Sequence, residues 1–307
     1  MFDTFYGHEP IKAYLQKALQ EDTLPQTMLF VGPEGVGKAL FAIELAGRLL
    51  NTSRINNHPD LHLVRPEGKS GLHAIDSLRT LISQVYEAPY EAPGKVAIIY
   101  DAERMQAPSA NALLKTLEEP PLTATLILLT SQPQDILPTI LSRCIRLNFK
   151  PLPEAAIASI LTTQNLPPHF ATLAHGSAAA ALLLAQDSSL KEMQNILFDL
   201  LSKKIFYPDL CDGLEKIESL LEPLKEEEPV AYHRRVDLLF STLLMWARDQ
   251  VLRPIGGSKL FFPDQPPSIS ALSLSAFDQT VQEARSAFQR NIKLSACLEK
   301  CLFACHK

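Results

Sequence analysis

Residues 27–39 read Thr-Met-Leu-Phe-Val-Gly-Pro-Glu-Gly-Val-Gly-Lys-Ala and combine an apolar run, a glycine-rich turn and the start of a helix. The apolar run at 27–31 is typical of a buried parallel strand. After it, Gly32, Gly37 and Lys38 match the first seven positions of the pattern Gly-x-x-x-x-Gly-Lys-[Ser/Thr]. The strand before the glycines and the helix after them are the context that this pattern requires. The stretch therefore predicts a phosphate-binding loop.

This loop carries the candidate nucleotide-binding residues Gly32, Gly35, Gly37 and Lys38. Glycines let backbone N–H groups surround phosphate oxygens, and the lysine can reach the terminal phosphates. The eighth position, which normally supplies a hydroxyl to Mg²⁺, is Ala39, and a methyl group cannot coordinate a metal. The pattern thus indicates the fold more strongly than it indicates ATP hydrolysis. Two interpretations therefore remain open. The loop retains binding of ATP or ADP without hydrolysis, or it is a glycine-rich turn that binds no ligand.

The rest of the first half alternates strands with helices, which predicts a parallel sheet with right-handed crossovers. Apolar runs mark the strands, and the pair Pro120-Pro121 ends one of the helices. We predict an α/β domain over residues 1–150. Its strands are expected at 27–31, 95–100, 125–130 and 145–149, and its helices at 39–50, 107–118 and about 135–141.

The second half has a helical texture. Residues 151–188 are rich in alanine and are interrupted at 165–168 and at Gly176, which predicts a small helical domain. Residues 189–307 keep a helical pattern, except for a segment at 253–270 that is rich in proline and glycine. No repeat with a period of 20–50 residues is visible, which excludes a solenoid.

Composition narrows the function. The chain has 307 residues, of which 46% are hydrophobic and 21% charged, as in ordinary globular proteins of two or three domains. Its 29 basic and 34 acidic residues give a net charge of −5, which disfavours a protein that wraps duplex DNA by itself. Five cysteines do not form a disulfide scaffold, so we expect a cytoplasmic protein. We expect neither a signal peptide nor a membrane span.

Two further strings point to a family. Residues 109–121 read Ser-Ala-Asn-Ala-Leu-Leu-Lys-Thr-Leu-Glu-Glu-Pro-Pro, and residues 141–144 read Leu-Ser-Arg-Cys. Together with the phosphate-binding loop, they resemble the bacterial clamp-loader subunits of the AAA+ class, and above all the delta-prime family of the DNA polymerase III clamp loader. The resemblance covers residues 1 to about 185 and is weaker beyond. It implies an AAA+ P-loop domain, a small helical lid at 151–188 and an all-α collar domain at 189–307.

The resemblance also shows where this sequence departs from the gamma/tau subunits that hydrolyse ATP. Those subunits carry an Asp-Glu pair after a strand, where this chain has Tyr100 and Asp101, or Asp101 and Ala102 if the register shifts by one. Their lid carries Gly-Ser-x-Arg, where the arginine position here is Ala179. Together with Ala39, these departures predict a chain without ATPase activity of its own.

Arg143 is the site residue that the resemblance leaves intact. In the family, the arginine of Ser-Arg-Cys projects into the nucleotide site of the neighbouring subunit, where a guanidinium stabilises charge during phosphoryl transfer. The resemblance therefore implies an arginine finger that acts in trans, and the alternative is an ordinary surface arginine. It also implies gamma/tau and delta subunits as partners, with the sliding clamp and primed DNA reached through the complex and no membrane partner.

Two rival functions come from other classes. An ATP-hydrolysing subunit of the gamma/tau type is disfavoured by Ala39, Tyr100 and Ala179. A stand-alone DNA-binding module is disfavoured by the net charge of −5. We expect the chain to act in the cytoplasm, with the replication machinery at the nucleoid.

Metal and thiol chemistry are weaker candidates. Residues 51–65 contain no cysteine, and His58 and His62 alone cannot complete a tetrahedral site, so we expect no zinc module. A face formed by Cys297, Cys301 and Cys305, followed by His306, is interpreted as helix packing, because ligands on successive turns of one helix lie in a line. A metal site there is the alternative.

Two single features leave alternatives open. Cys144 lies between Arg143 and Arg146, which could activate a thiol, but no histidine partner is evident. Glu118 and Glu119 end a helix, where acidic side chains oppose the helix dipole. We interpret them as a solvated helix end, and the alternative is a polar contact with a neighbouring subunit.

Overall fold

The chain folds into two compact units, Met1–Leu182 and Leu183–Lys307. The computed structural model describes residues 2, 5–52, 54, 55, 57–66, 71–168, 170–202, 206–227, 229–256, 260–263, 265 and 273–305. Within those residues, the first unit contains a β-sheet flanked by helices, and the second unit is helical. None of the helices in these ranges is both long and apolar enough to cross a membrane.

The first unit alternates strands and helices before it becomes entirely helical. In chain order its elements are α1 Glu9–Gln20, β1 Thr27–Val31, α2 Lys38–Leu49, β2 Leu61–Val64, α3 Ile75–Tyr86, β3 Lys95–Ile99, α4 Ala107–Glu118, β4 Ala124–Thr130, α5 Pro138–Leu141, β5 Ile145–Asn148, α6 Glu154–Thr163, α7 Phe170–Leu173 and α8 Ala178–Gln186. The last of these helices extends past the boundary between the units.

The sheet is parallel throughout, with the strand order β2-β3-β4-β1-β5. At its centre, Phe30 of β1 lies opposite Leu129 of β4 on one side and Leu147 of β5 on the other. The four predicted strands are confirmed to within one residue at either end, and the predicted α/β fold is confirmed with them. The short helix expected at 135–141 begins only at Pro138, after a 3₁₀ turn at Pro133–Asp135.

Helices cover both faces of the sheet, which explains why its central strands are continuous apolar runs. On one face, Phe30 and Ile98 pack against α1 and α2, with Phe41 of α2 at the centre of an aromatic group. On the other face, Leu29 and Ile99 pack against α3 and α4. The side chains of one strand thus alternate between two separate cores.

The predicted helical region after the sheet is formed by α6, α7 and α8. The expected breaks are confirmed, since α6 ends at Thr163, α7 starts at Phe170, and Gly176 lies between α7 and α8. Ile157 and Leu161 of α6 are fully buried. The N–H of Leu152 donates to the carbonyl of Gly176 at 2.9 Å, which joins this region to the segment that follows the sheet.

The second unit is helical, as predicted. Its elements are α9 Ser188–Ser202, α10 Tyr207–Glu227, α11 Pro229–Leu252, α12 Leu274–Gln289 and α13 Leu294–Cys305. Asp187 caps α9, because its Oδ1 accepts the N–H groups of Ser189 and Leu190. Its Oδ2 accepts Nε of Arg235 on α11 at 2.7 Å. One carboxylate therefore both starts α9 and ties it to α11.

A buried carboxylate fixes the loop that leads into β3. Asp60, which is fully buried, accepts the N–H groups of Tyr90 at 2.6 Å and of Glu91 and Ala92 at 2.9 Å. Burial by itself would raise the pKa of this carboxyl, but the three donors and the nearby His58 together lower it. The loop from 90 to 92 is therefore held by the charged form of Asp60.

We expect Asp60→Ala to lower the free energy of unfolding by about 3 kcal/mol, because three buried N–H groups lose a charged acceptor. Urea unfolding followed by circular dichroism at pH 7 measures the change. Asp76→Ala serves as the control, since Asp76 is an exposed residue of α3 and should change the free energy by less than about 0.5 kcal/mol.

The effect has a defined pH dependence. Because the folded pKa of Asp60 lies below the unfolded value of about 3.9, its stabilisation is present above that value and is lost as the pH falls through the folded pKa. The difference between wild type and Asp60→Ala should therefore shrink below about pH 4. A difference that stays constant down to pH 3 would contradict the role of the ionised carboxylate.

Candidate functional site

The four candidate nucleotide-binding residues lie in one loop at the carboxyl end of β1, which we call the P-loop (residues 32–38). Gly32 follows the strand and donates its N–H to the carbonyl of Thr130 at 3.2 Å. Gly35 and Gly37 have φ values of +74° and +105°, in the region that favours glycine. Lys38 is the first residue of α2. The loop thus has the backbone form that the sequence predicted.

The ammonium group of Lys38 is bound by the P-loop itself. Its Nζ donates to the carbonyl oxygens of Gly32 and Pro33, the latter at 2.8 Å. Burial lowers the pKa of Lys38. Three nearby carboxylates act in the opposite direction, namely those of Glu34, Glu103 and Asp101. A polyphosphate entering this loop would meet a cation that already has oxygen partners and negative charge around it.

The resemblance places the metal-binding aspartate after β3 either at Asp101 or, in the register without a shift, at the aromatic residue Tyr100. Tyr100 is 8% exposed and packs on the α2 side of the sheet. Cζ of Arg65 lies 3.6 Å from the centre of its ring, a cation–π contact. Burial raises the pKa of the next carboxyl, Asp101, and Glu103 adds to that shift. The phenol ring and its guanidinium partner therefore occupy this position.

Glu103 is a site residue that the sequence reasoning missed. Its Oε1 accepts the N–H of Ser131 at 3.2 Å and the Ser131 hydroxyl at 2.8 Å. This contact ties the 3₁₀ turn Ala102–Arg104 to the residue that follows β4. The only signal in the sequence was that both residues follow adjacent parallel strands, whose carboxyl ends lie at one edge.

The beginning of α8 packs directly on the P-loop. The N–H of Ala179 donates to the carbonyl of Gly35 at 3.2 Å. A Cβ added to Gly35 would lie 2.1 Å from Oγ of Ser177 and 2.8 Å from Cβ of Ala179. The position that carries an arginine in gamma/tau subunits thus presents a methyl group to the loop.

Arg143 lies between α5 and β5, and its side chain is 30% exposed. Nη1 donates to the carbonyl of Thr139 at 2.7 Å and to Oγ of Ser142 at 3.1 Å. Nε donates to Oε1 of Glu118 at 2.8 Å, and Nη2 donates to the same oxygen. The guanidinium is therefore held at the surface, and Glu118, at the end of α4, is its partner.

Arg143 and the P-loop lie at opposite ends of the neighbouring strands β1 and β5, with Arg143 at the amino ends and the P-loop at the carboxyl ends. The carbonyl of Arg143 accepts the hydroxyl of Thr27, the first residue of β1, at 2.8 Å. The P-loop begins at Gly32, after the last residue of the same strand. Five residues of parallel strand separate the two points by about 16 Å. An arginine side chain cannot span that distance, so Arg143 cannot serve the P-loop of its own chain.

The two histidines of residues 51–65 have ordinary surroundings. Nδ1 of His58 accepts the N–H of Asp60 at 3.1 Å, and His62 lies on the edge strand β2. Burial lowers the pKa of His62. Within the ranges that the structure describes, no group of three or more His, Cys, Asp or Glu side chains could hold a metal ion.

The cysteine candidates are poor nucleophiles where the structure describes them. Burial raises the pKa of the Cys144 thiol to about 12, so the thiolate is scarce at neutral pH. Cys297, Cys301 and Cys305 are at most 2% exposed in α13, and burial raises the pKa of each. They pack in the core of the second unit, while His306 lies outside the described residues.

A parallel sheet of this order, with a P-loop after β1 and a helical segment packed on that loop, defines the AAA+ class of P-loop proteins. Residues 7–153 match the family model described as "DNA polymerase III, delta subunit". The chain is 30% identical to DNA polymerase III subunit delta' of Bacillus subtilis, over 93% of this chain and 92% of that protein. The chain belongs to the delta-prime family of DNA polymerase III subunits.

Two further comparisons are with proteins of the gamma/tau type. The tau/gamma subunit of Haemophilus influenzae is 34% identical over 54% of this chain, which corresponds to 27% of that longer protein. The crystal structure of a gamma-subunit-related protein from Thermotoga maritima superimposes with a TM-score of 0.56 at 18% identity, over 95% of this chain and 98% of that one. At that identity the likeness concerns the fold alone.

We expect Gly35→Ala to destabilise the first unit by more than 2 kcal/mol, because it adds a clash with Ser177 and Ala179 to the cost of a positive φ. Gly37→Ala is the matched control, since a Cβ there meets only Cδ2 of Phe41 at 3.9 Å. Urea unfolding measures both variants. Equal destabilisation, or a larger effect at Gly37, would show that α8 does not pack on the P-loop in solution.

Proposed function

We propose that this chain is a subunit of the DNA polymerase III clamp loader that does not hydrolyse ATP itself and supplies Arg143 to the ATP site of an adjacent gamma/tau subunit. A delta subunit would be a further partner. The assembly would place the sliding clamp on primed DNA, in the cytoplasm at the nucleoid. The names of the relatives support membership in a DNA polymerase III assembly.

One observation carries the proposal of a finger in trans. Arg143 lies at the amino ends of the parallel strands, about 16 Å of strand away from the P-loop of the same chain. Its side chain is partly exposed, so another subunit can approach it. A guanidinium in this position can act on a phosphate only if a second protein brings that phosphate to it.

The P-loop region supports the absence of hydrolysis. Ala39 offers no hydroxyl to Mg²⁺, Tyr100 replaces a carboxylate with a buried ring, and Ala179 replaces a guanidinium with a methyl group. These side chains do not fit a hydrolytic site for Mg²⁺ and ATP. Each missing group is of a kind whose loss typically costs several orders of magnitude in rate.

The second unit is proposed as the collar that joins the subunits. It is helical, and its described residues leave several large apolar side chains exposed, among them Leu274, Ile292 and Phe303 at 37%, 49% and 39%. Contact with a neighbouring subunit would cover these side chains. The alignment with the Bacillus subtilis protein extends over this unit as well.

An ATP-hydrolysing subunit of the gamma/tau type is the second candidate, because tau/gamma proteins also match the first part of the chain. We expect the purified chain to release no phosphate from ATP above background in the presence of Mg²⁺. A Lys38→Ala variant is the control, because a trace of contaminating ATPase would persist in it. Turnover by the wild type that Lys38→Ala abolishes would favour the second candidate.

We expect Arg143→Ala to leave the complex assembled but to slow hydrolysis at the adjacent ATP site by roughly 10³-fold or more, since the transition state loses its guanidinium. The total ATPase rate of the complex with clamp and primed DNA should fall by the fraction of the rate that this one site contributes. A steady-state phosphate assay on the reconstituted complex measures this rate, and gel filtration checks assembly.

Arg146→Ala is the matched control for this experiment. Arg146 lies three residues further on the exposed edge strand β5, where its Nε donates to Asn148 at 2.8 Å. It removes the same charge without touching Arg143. If both variants assemble and hydrolyse ATP at the wild-type rate, Arg143 is not an arginine finger.

A further inference from the structure

We propose that Glu118 is a positioning residue that holds Arg143 in cis and must release it before Arg143 can bind a phosphate in trans. The ion pair between the two side chains is called the latch. This inference rests on the finger role proposed above and adds to it a competitor within the same chain.

The hydrogen bonds of the guanidinium carry the inference. An arginine has five N–H donors, and four of them are used within this chain. Two go to Oε1 of Glu118, one to Oγ of Ser142 and one to the carbonyl of Thr139. A γ-phosphate needs donors from the same planar group, so the carboxylate and the phosphate compete for Arg143.

The backbone around the latch is fixed, which confines the exchange to side chains. The carbonyl of Arg143 is held by the Thr27 hydroxyl, and the N–H of Glu119 donates to the carbonyl of Lys115 at the end of α4. Release of Arg143 therefore needs only rotation about side-chain bonds. The backbone of Arg143 therefore keeps its place at the amino ends of the strands, whether the side chain is bound to Glu118 or released.

The position of Glu118 is not explained by helix stability. It is the last residue of α4, where a negative charge is unfavourable next to the exposed helix carbonyls. Arg143 supplies the compensating charge from a segment 25 residues further along the chain. The sequence interpretation of Glu118 as a solvated helix end therefore omits its partner, although the side chain is 48% exposed.

Exposure makes the latch weak enough to open. With 30% and 48% of the two side chains exposed, solvent and salt screen the pair, as for other surface ion pairs. Such pairs shift an equilibrium by about two- to fivefold. The latch would therefore lower the fraction of time that Arg143 is available without abolishing its use.

The test uses Glu118→Gln in the complex reconstituted with gamma/tau and delta subunits. Glutamine keeps the shape of the side chain but removes its charge. In single-turnover hydrolysis without clamp or DNA, we expect the rate at the adjacent site to rise about two- to fivefold. Because the latch is electrostatic, the ratio of variant to wild type should approach one as salt is raised.

Glu119→Gln is the matched control, because it removes the same charge from the next residue, whose main-chain carbonyl accepts the Tyr86 hydroxyl. It should leave the single-turnover rate unchanged. In an Arg143→Ala background, Glu118→Gln should also have no effect, since the group that it releases is gone. A merely structural role of Glu118 would produce neither the salt dependence nor this dependence on Arg143.

The outcomes separate the latch from the finger. If Arg143→Ala slows hydrolysis while Glu118→Gln leaves the rate unchanged or lowers it, the latch is wrong and the finger stands. If Arg143→Ala has no effect on hydrolysis, the finger role is wrong. The latch is then wrong too, because it has no finger to regulate. A rise in rate with Glu118→Gln that persists in the Arg143→Ala background would also overturn the latch.

Discussion

The common direction of the five strands is the constraint on which the rest of this structure depends. Because every strand is parallel, the carboxyl ends of all five strands lie on one side of the domain. The P-loop and the residues after β3 and β4 lie on that side. The segments that lead from the helices back into the strands lie on the opposite side, at the amino ends. One of these segments carries Arg143, whose carbonyl accepts the Thr27 hydroxyl. Lys38 and Arg143 therefore lie too far apart to bind the same phosphate, and this separation is the basis of the proposal that a second subunit uses Arg143.

At the carboxyl ends of the strands, the P-loop has a structural role, because it joins the sheet to the start of α8. Gly35 meets Ser177 and Ala179 at the start of α8, so the loop connects the sheet to the helical segment. A joint of this kind needs the glycines for their backbone form, but it needs no hydroxyl for a metal ion. This accounts for a chain that has every glycine of the phosphate-binding pattern together with Ala39 at the position after the lysine.

The sequence predicted the central strands well, because burial on both faces makes them continuous apolar runs. It also predicted the bounds of α4, because two prolines after that helix stop it. It did not mark β2 as a strand, because Leu61–Val64 is a short edge strand in which only Val64 is buried. The motif residues were predictable from local spacing. Their partners were not, because contacts such as Glu118 with Arg143 arise only when the chain has folded.

The two cations differ in the kind of oxygen that holds them, and this difference separates their roles. Lys38 is held by carbonyl oxygens of its own loop, which stay where the backbone puts them. Arg143 donates two of its four hydrogen bonds to a carboxylate at the end of a half-exposed side chain, which can rotate away. The partners of Lys38 belong to a loop that is packed under α8, so these oxygens stay beside the lysine. Arg143 lies at the amino ends of the strands, and the carboxylate that binds it can move away. The proposed role in trans therefore falls to Arg143 and not to Lys38.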